Sequence, residues 1–159
     1  MKTAFSIDYL ADFPEHAQTA AAWVLSERRH FYPLETLQDA HQRVEGCMHK
    51  GEIPFSLIAL DGQEAAGMVC VMKNNAPPGY DQLTPWLAAL IVAPNYRGQG
   101  LEAALLDQAV LKARASGCVE LFTWTDSDKD WYQQMGWQVA GTTIFGRRYV
   151  GVMRLDLTK

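Results

Sequence analysis

The feature that most constrains this chain is an apolar run that stops at a proline and leads into a glycine-bearing turn. Residues 90–106 read LIVAPNYRGQGLEAALL, so Pro94 is followed by Arg97, Gly98 and Gly100 and then by a helix-forming segment. Free N–H groups at a helix N-terminus and the helix dipole both attract an anion there. The sequence therefore predicts a strand–turn–helix unit that holds the pyrophosphate of a nucleotide-like cofactor.

Length and composition narrow the class of protein around this unit. The chain has 159 residues, 48% apolar and 20% charged, which is typical of one soluble globular domain spanning residues 1–159. It has no apolar run of membrane-spanning length, and its N-terminus lacks the apolar core of a signal peptide, so we expect a cytoplasmic protein without a membrane partner. The net charge of −4 argues against nucleic-acid binding. Its three cysteines form no CxxC pair, so neither a disulfide framework nor a metal site is expected.

Periodicity and turn residues predict an order of elements along the chain. The predicted strands cover residues 4–10, 54–60, 63–72, 86–92, 119–125, 138–144 and 148–157, and the predicted helices cover residues 14–29, 34–50, 100–116 and a short stretch ending at 135. Asp12 is the expected cap of the first helix, and Leu37 is expected to face inward from the second. Asp61-Gly62 is the expected turn of a hairpin.

The glycine turn has two interpretations. Gly98 to Ala103 matches the dinucleotide fingerprint G-x-G-x-x-[GA], and Glu120 lies at a suitable distance for a ribose contact. That fingerprint normally belongs to the first of several βαβ units, whereas here it follows a strand, two helices and a hairpin. A nucleotide-binding oxidoreductase fragment, with a parallel sheet throughout, is therefore the less favoured alternative.

The second interpretation takes in more of the chain. Residues 92–101, VAPNYRGQGL, resemble the acetyl-CoA signature of the Gcn5-related N-acetyltransferase (GNAT) superfamily, in which a strand ending V-x-P precedes R/Q-x-x-G-x-G/A at a helix start. Residues 131–137, WYQQMGW, are similar to the family's second landmark, an aromatic-Tyr-x-x-x-Gly-aromatic segment. The resemblance implies an α/β (α+β) fold with a mixed, largely antiparallel central sheet flanked by helices.

The resemblance also implies a cofactor site and no metal. Its cofactor-binding residues would be Leu90, Ile91, Val92, Arg97, Gly98, Gln99, Gly100, Leu101, Glu102 and Thr125. The backbone of residues 90–92 would align the cofactor arm, and residues 97–102 would hold the pyrophosphate. Glu102 stands where the family prefers a small residue, and we expect its side chain to turn outward. Thr125 stands where many members carry asparagine, and it offers a poorer contact.

The implied activity is transfer of an acetyl group from acetyl-CoA to a primary amine by direct attack. Tyr132 is the expected catalytic residue, since a phenol can protonate the departing thiolate. The base is not identified from the sequence. The weak candidates are Glu35, His30, Asp81 and Asp126. A chain of water molecules leading to bulk solvent is an equally good candidate for removing the proton from the amine.

The resemblance implies an acceptor site where three segments meet. These are residues 30–32, residues 80–82 and the last hairpin near Phe145 and Tyr149, whose aromatic rings suit an apolar wall or a cation–π contact. Trp86 and Trp124 are expected in the core or the pocket wall. The acceptor is a small molecule or a protein amine, and a homodimer is possible. A non-catalytic module that binds or senses CoA is the other alternative.

Overall fold

The structure, a computed structural model, describes residues 4–159. Residues 1–3 lie outside the described residues. They belong to the N-terminal segment for which the sequence predicts no signal peptide. The strands are β1 (Ser6–Tyr9), β2 (Phe55–Asp61), β3 (Glu64–Met72), β4 (Trp86–Val92), β5 (Glu120–Thr125), β6 (Gln138–Phe145) and β7 (Arg148–Asp156). The helices are α1 (Ala17–Arg28), α2 (Leu37–Glu45), α3 (Leu101–Ala115) and α4 (Lys129–Gln134). None of these helices is both long and apolar enough to cross a membrane.

The strands form one seven-stranded sheet in the order β1-β2-β3-β4-β5-β7-β6. Every neighbouring pair is antiparallel except β4 and β5. Buried residues of α1 and α2 pack with one face of the sheet, and those of α3 pack with the other. The predicted fold class, a mixed and largely antiparallel sheet flanked by helices, is confirmed.

The parallel strands β4 and β5 are paired over only a very short stretch. Its register has one pair of partners, Trp86 and Phe122, after which the strands diverge. On the other side of β4 the register with β3 shifts between Met68 and Cys70, and Ala89 adopts a left-handed φ of 54°. This combination is a β-bulge, which bends a strand and increases its local twist. A gap therefore opens beside the second half of β4, toward the end where α3 begins.

Some local predictions are wrong in detail. The β2–β3 turn is Gly62-Gln63, because Asp61 still pairs with Glu64, and Gly62 supplies the positive φ of 62°. Asp12 accepts a hydrogen bond from Lys50 Nζ at 2.8 Å and caps no helix.

The second helix also begins later than predicted. Its cap is Thr36, whose side chain and that of Asp39 form a reciprocal capping box. Leu37 is then the first helical residue and is 48% exposed, so it does not face inward.

Gly67 on β3 lets α3 lie close to the sheet. A Cβ at this position would lie 2.8 Å from the Ile91 carbonyl oxygen and 3.0 Å from Leu105 Cδ1. The first neighbour is backbone of β4 and the second is a fully buried leucine of α3, so neither can move without shifting an element.

We therefore expect Gly67→Ala to lower the free energy of unfolding by about 1–3 kcal/mol, the usual cost of overpacking a core. Urea unfolding followed by circular dichroism measures this change. Gly46→Ala is the matched control, because Gly46 has an ordinary helical φ of −69° and its added Cβ would meet backbone no closer than 3.4 Å. Equal stability of the two variants would show that α3 does not depend on this close approach.

Candidate active site

The gap between β4 and β5 contains a cavity of about 220 Å³. Its lining comes from the end of α1, the segment that follows it, α2, β4, β5 and the start of α4. The N-terminus of α3 reaches the same cavity through Glu102. The cleft thus extends from Glu102, in the first turn of α3, to the predicted catalytic tyrosine, Tyr132.

The glycine turn has the backbone that an anion site needs. Gly98 and Gly100 have φ values of 77° and 80°, in the left-handed region that favours glycine. A helical turn over Pro94–Tyr96 precedes them, and Arg97 Nε donates to the Val92 carbonyl oxygen at 3.3 Å. The N–H groups of the first turn of α3 have no acceptor within the helix, so they are available to a phosphate. Arg97 thus contacts the end of β4 and orients the turn.

Apart from Arg97 and the two glycines, the predicted cofactor-binding residues differ in whether their side chains reach the cleft. Leu90, Glu102 and Thr125 line the cleft. The side chains of Ile91, Val92 and Leu101 pack in the core, so only their backbone can contact a ligand, and Gln99 is half-buried on the turn.

Two of these residues depart from the family pattern, and the structure places both at the cleft. The Glu102 side chain is exposed, yet it borders the cleft, so it does not turn fully away from the site. Thr125 Oγ1 accepts from the N–H groups of Ser127 and Asp128 at 3.3 and 2.9 Å. Its oxygen therefore orders the loop before α4, and its hydroxyl proton remains for a ligand.

Tyr132 lines the cleft, with 7% of its surface exposed. Its ring makes edge-to-face contacts with Trp131 and Trp137, at centroid distances of 5.0 and 5.5 Å. Its hydroxyl has a hydrogen-bonding contact with Thr123 that acts to lower the Tyr132 pKa, and the Thr123 hydroxyl donates to the Leu87 carbonyl oxygen at 2.9 Å.

The electrostatic surroundings keep Tyr132 protonated. Burial raises the pKa of its phenol well above the ordinary value; the bond to Thr123 opposes this, and the charges of Glu27, Asp128 and Glu102 add to it. The Tyr132 phenol is therefore protonated at neutral pH.

Sequence reasoning missed one carboxylate in the cleft, that of Glu27. It belongs to the last turn of α1 and lines the cavity, where it is accessible to solvent but surrounded by protein. The surrounding protein raises the pKa of Glu27 to about 7, with Arg28 opposing the shift and Asp126 adding to it. A sequence signal existed, because Glu27 follows Ala20 and Val24 at helical spacing on the buried face of α1.

The four base candidates named from the sequence are placed less favourably. Glu35 accepts from Arg28 Nε at 2.9 Å and also from Arg43 Nε. Burial acts to raise the pKa of Glu35, but hydrogen bonds from the two arginines outweigh it and hold that pKa below the ordinary value.

The other three candidates, Asp126, His30 and Asp81, are also poorly placed to act as the base. Asp126 accepts from Arg148 Nη1 at 2.5 Å, while His30 is exposed at the edge of the cleft. Asp81 is exposed and is not among the residues that line the cleft.

Four aromatic residues pack against one another at the cleft and are called here the aromatic wall: Phe31, Tyr32, Trp124 and Phe145. The first three line the cleft, and Phe145 packs against them. Phe31 lies 4.8 Å from Trp124 and 5.0 Å from Phe145, measured between ring centroids. Phe145 also contacts Tyr32 and Trp124, each at 5.4 Å. The structure thus brings together two of the three segments proposed for the acceptor.

The remaining aromatic candidates lie elsewhere. Tyr80 packs beside Trp86, which is fully buried, and its hydroxyl donates to the Thr142 carbonyl oxygen at 3.4 Å. Tyr149 is 78% exposed on the surface of the last hairpin. Trp124 belongs to the wall, and its indole N–H donates to the Asn75 carbonyl oxygen at 2.8 Å.

Two of the three free cysteines, Cys47 and Cys70, also line the cavity. Burial raises their pKa values to about 11 and about 12. At neutral pH both are thiols, which are poor nucleophiles. Across residues 4–159, His, Cys, Asp and Glu side chains form no group of three or more that could hold a metal ion.

Comparison with known proteins identifies the class that this fold and cleft define. The profile of the acetyltransferase (GNAT) family matches residues 10–137, which is most of the chain. The chain belongs to that family, as its two sequence landmarks indicated. No curated protein matches the sequence.

Solved structures with the same fold cover nearly the whole chain. A GNAT-family protein from Desulfovibrio desulfuricans is 22% identical, with a TM-score of 0.72, and the match covers 98% of this chain and 100% of that one. An aminoglycoside 6'-N-acetyltransferase complexed with coenzyme A is 14% identical, with a TM-score of 0.72 and coverage of 97% and 98%. A protein from Salmonella typhimurium with its cofactor acetyl-CoA is 17% identical, with a TM-score of 0.68 and coverage of 98% and 95%.

Proposed function

We propose that this protein transfers an acetyl group from acetyl-CoA to a primary amine. The observation that supports this most directly is the cleft between β4 and β5, whose lining includes both Glu102 in the first turn of α3 and Tyr132. A cofactor with a pyrophosphate at one end and a thioester at the other needs both features. The similar structures that hold coenzyme A or acetyl-CoA support the same choice of cofactor.

The residues present fit that cofactor. The turn offers backbone N–H groups to the pyrophosphate, and Gly98 and Gly100 themselves carry no side chain there. Beyond Trp86 the edge of β4 that faces the gap is not paired with β5, so its backbone can align the amide-bearing arm as a neighbouring strand would. Leu90 and Thr125 border the position expected for the end of that arm.

When bound, acetyl-CoA supplies an activated acetyl group at its thioester carbon. The protein holds this carbon beside the amine and gives the departing sulfur a proton from Tyr132. Direct attack is favoured over a route through an acetylated cysteine, because Cys47 and Cys70 are protonated thiols.

The oxidoreductase alternative required a parallel sheet throughout, and β4–β5 is the one parallel pair of the seven-stranded sheet formed by residues 4–159. The non-catalytic alternative rested on Glu102 and on the missing base. A carboxylate does line the cleft, at Glu27, so that argument is weakened.

A thermal-shift experiment tests the cofactor. We expect CoA and acetyl-CoA to stabilise the protein and NAD to leave it unchanged, because a ligand at ~100 times its dissociation constant adds ~2.7 kcal/mol. A panel of primary amines with detection of released thiol then tests turnover. Stabilisation without turnover on any amine would favour the non-catalytic alternative, and no shift with either CoA species would contradict the proposal.

A further inference from the structure

The Glu27 carboxylate occupies the cleft without a structural partner. Among residues 4–159, none forms a hydrogen bond or an ion pair with it. Glu27 is an exposed residue that lines the cavity, so its carboxylate is accessible to a ligand that enters the cleft. No contact of the described residues engages it.

The nearest cation in the sequence is already engaged. Arg28 Nε donates to Glu35 at 2.9 Å, and its Nη1 donates to Asn75 Oδ1 at 3.3 Å. Its guanidinium also lies 3.9 Å from the centre of the Tyr32 ring. Arg28 thus acts on Glu27 through its charge but forms no ion pair with it, and the Glu27 carboxylate lines the cleft.

Glu27 and the proposed proton donor come from different elements. Glu27 belongs to α1, whereas Tyr132 belongs to α4. Both line the same cavity, and the charge of Glu27 acts on the Tyr132 phenol. The cleft-lining residues of β4, Leu87 to Leu90, carry no carboxylate that could compete for the role of base.

We propose that Glu27 is the catalytic base, which takes a proton from the acceptor's ammonium group inside the cleft. This inference rests on the proposed acetyltransferase function and adds a residue to it. An alkylammonium group has a pKa near ~10.4 in its unperturbed form, so most of the acceptor arrives protonated and cannot attack. A nearby carboxylate both attracts this cation and removes its proton.

The proton balance assigns each group one step. The ammonium gives one proton to Glu27, and the lone pair so exposed forms the C–N bond to the thioester carbon. The C–S bond breaks, the sulfur leaves with the electron pair, and it takes the proton of Tyr132. Tyr132 regains a proton from the nitrogen, which keeps its last proton in the amide, and Glu27 releases its proton to solvent.

The charged groups around Glu27 set its working pH. Burial by surrounding protein is the main reason that its pKa lies at about 7, and Arg28 and Asp126 act on it in opposite directions. The other titratable groups that line the cavity are His30 and Tyr32 after α1, Arg43 and Cys47 on or after α2, Cys70 on β3, Glu102 on α3, Asp128 before α4 and Tyr132 on α4. A base with a pKa near the working pH is efficient, since it is largely deprotonated and still accepts a proton.

The test compares Glu27→Gln, which keeps the shape and removes the base, with Glu27→Asp and with the wild type. We expect Glu27→Gln to lower kcat/KM for an alkylamine by ~10²-fold or more, the usual contribution of a general base. Glu27→Asp should recover part of the activity. The control is Glu45→Gln, because Glu45 ends α2 as an exposed residue outside the cavity.

Two further measurements separate proton removal from binding. In the wild type, kcat/KM should rise with pH through about 7 as Glu27 loses its proton, and this rise should be absent from Glu27→Gln. Ethylamine should then be compared with 2,2,2-trifluoroethylamine, whose fluorines lower the pKa of its ammonium. Because the fluorinated amine is largely neutral without a base, Glu27→Gln should lose much less activity with it.

Equal losses with both amines, or an unchanged pH profile in Glu27→Gln, would overturn the assignment while leaving the acetyltransferase function intact. Thermal stabilisation by CoA should be the same in Glu27→Gln and the wild type, which shows that the cofactor half of the site is unaffected. A wild-type protein that binds CoA but acetylates no amine at any pH would overturn both proposals.

Discussion

Tyr132→Phe is expected to lower kcat by roughly 10²-fold and to leave the affinity for CoA unchanged. The substitution removes one oxygen atom, and with it the proton that the departing sulfur would take. The ring keeps its contacts with Trp131 and Trp137, so the end of the cleft should keep its shape. Thr123 loses one hydrogen-bond partner but still donates to the Leu87 carbonyl oxygen, and we expect a stability change of only about 1 kcal/mol.

Steady-state kinetics with the best amine of the panel measures the loss in kcat, and calorimetric titration with CoA measures the affinity. The control is Tyr149→Phe, since that hydroxyl lies on the surface, and this variant should behave as the wild type does. Undiminished turnover in Tyr132→Phe would remove Tyr132 from the mechanism. A parallel loss of CoA affinity would instead assign Tyr132 to binding.

The second large effect is expected at the glycine turn. Gly100→Ala should weaken CoA binding roughly 10- to 100-fold, since a charge-assisted hydrogen bond contributes about 1.5–3 kcal/mol and the turn must shift to relieve the side chain. The φ of Gly100 is 80°, a conformation that costs any residue with a Cβ about 1–2 kcal/mol. Stability should fall by that amount as well.

Gly117→Ala is the control that separates the loss of stability from the loss of affinity for CoA. Gly117 follows the other end of α3 and has a φ of 94°, and, as at Gly100, an added Cβ would meet no atom within 4 Å. The two variants should therefore lose similar stability in urea unfolding. Only Gly100→Ala should lose affinity for CoA in calorimetric titration, and an equal loss in both would show that strain, rather than the phosphate contact, is responsible.

The cofactor half of the site was predictable because it is local. The end of β4, the glycine turn and the start of α3 are consecutive in sequence, and each has a residue pattern with a direct physical cause. The divergence of β4 from β5 was not predictable. It depends on the left-handed backbone at Ala89, a residue type that rarely adopts this conformation, and on a register shift against a different strand.

The prediction of the base, in the acceptor half of the site, failed for a different reason. Glu35 was named as a weak base candidate, but two arginines neutralise it, and those contacts depend on how α1 and α2 pack. Glu27 was overlooked because a glutamate near the end of a helix is usually a solvated side chain. Its role depends on which elements enclose it, and helical periodicity gives only the face on which it lies.

The aromatic wall has a consequence for how this protein can change. Its rings come from residues 31–32, from β5 and from the end of β6, segments that meet only in the folded domain. None of the four belongs to the turn that precedes α3, and a substitution among them leaves the phosphate contacts in place. On the prediction that the acceptor contacts this wall, substrate preference and cofactor use are separable in the chain, so acceptor choice can change through a few ring positions while the acetyl donor stays the same.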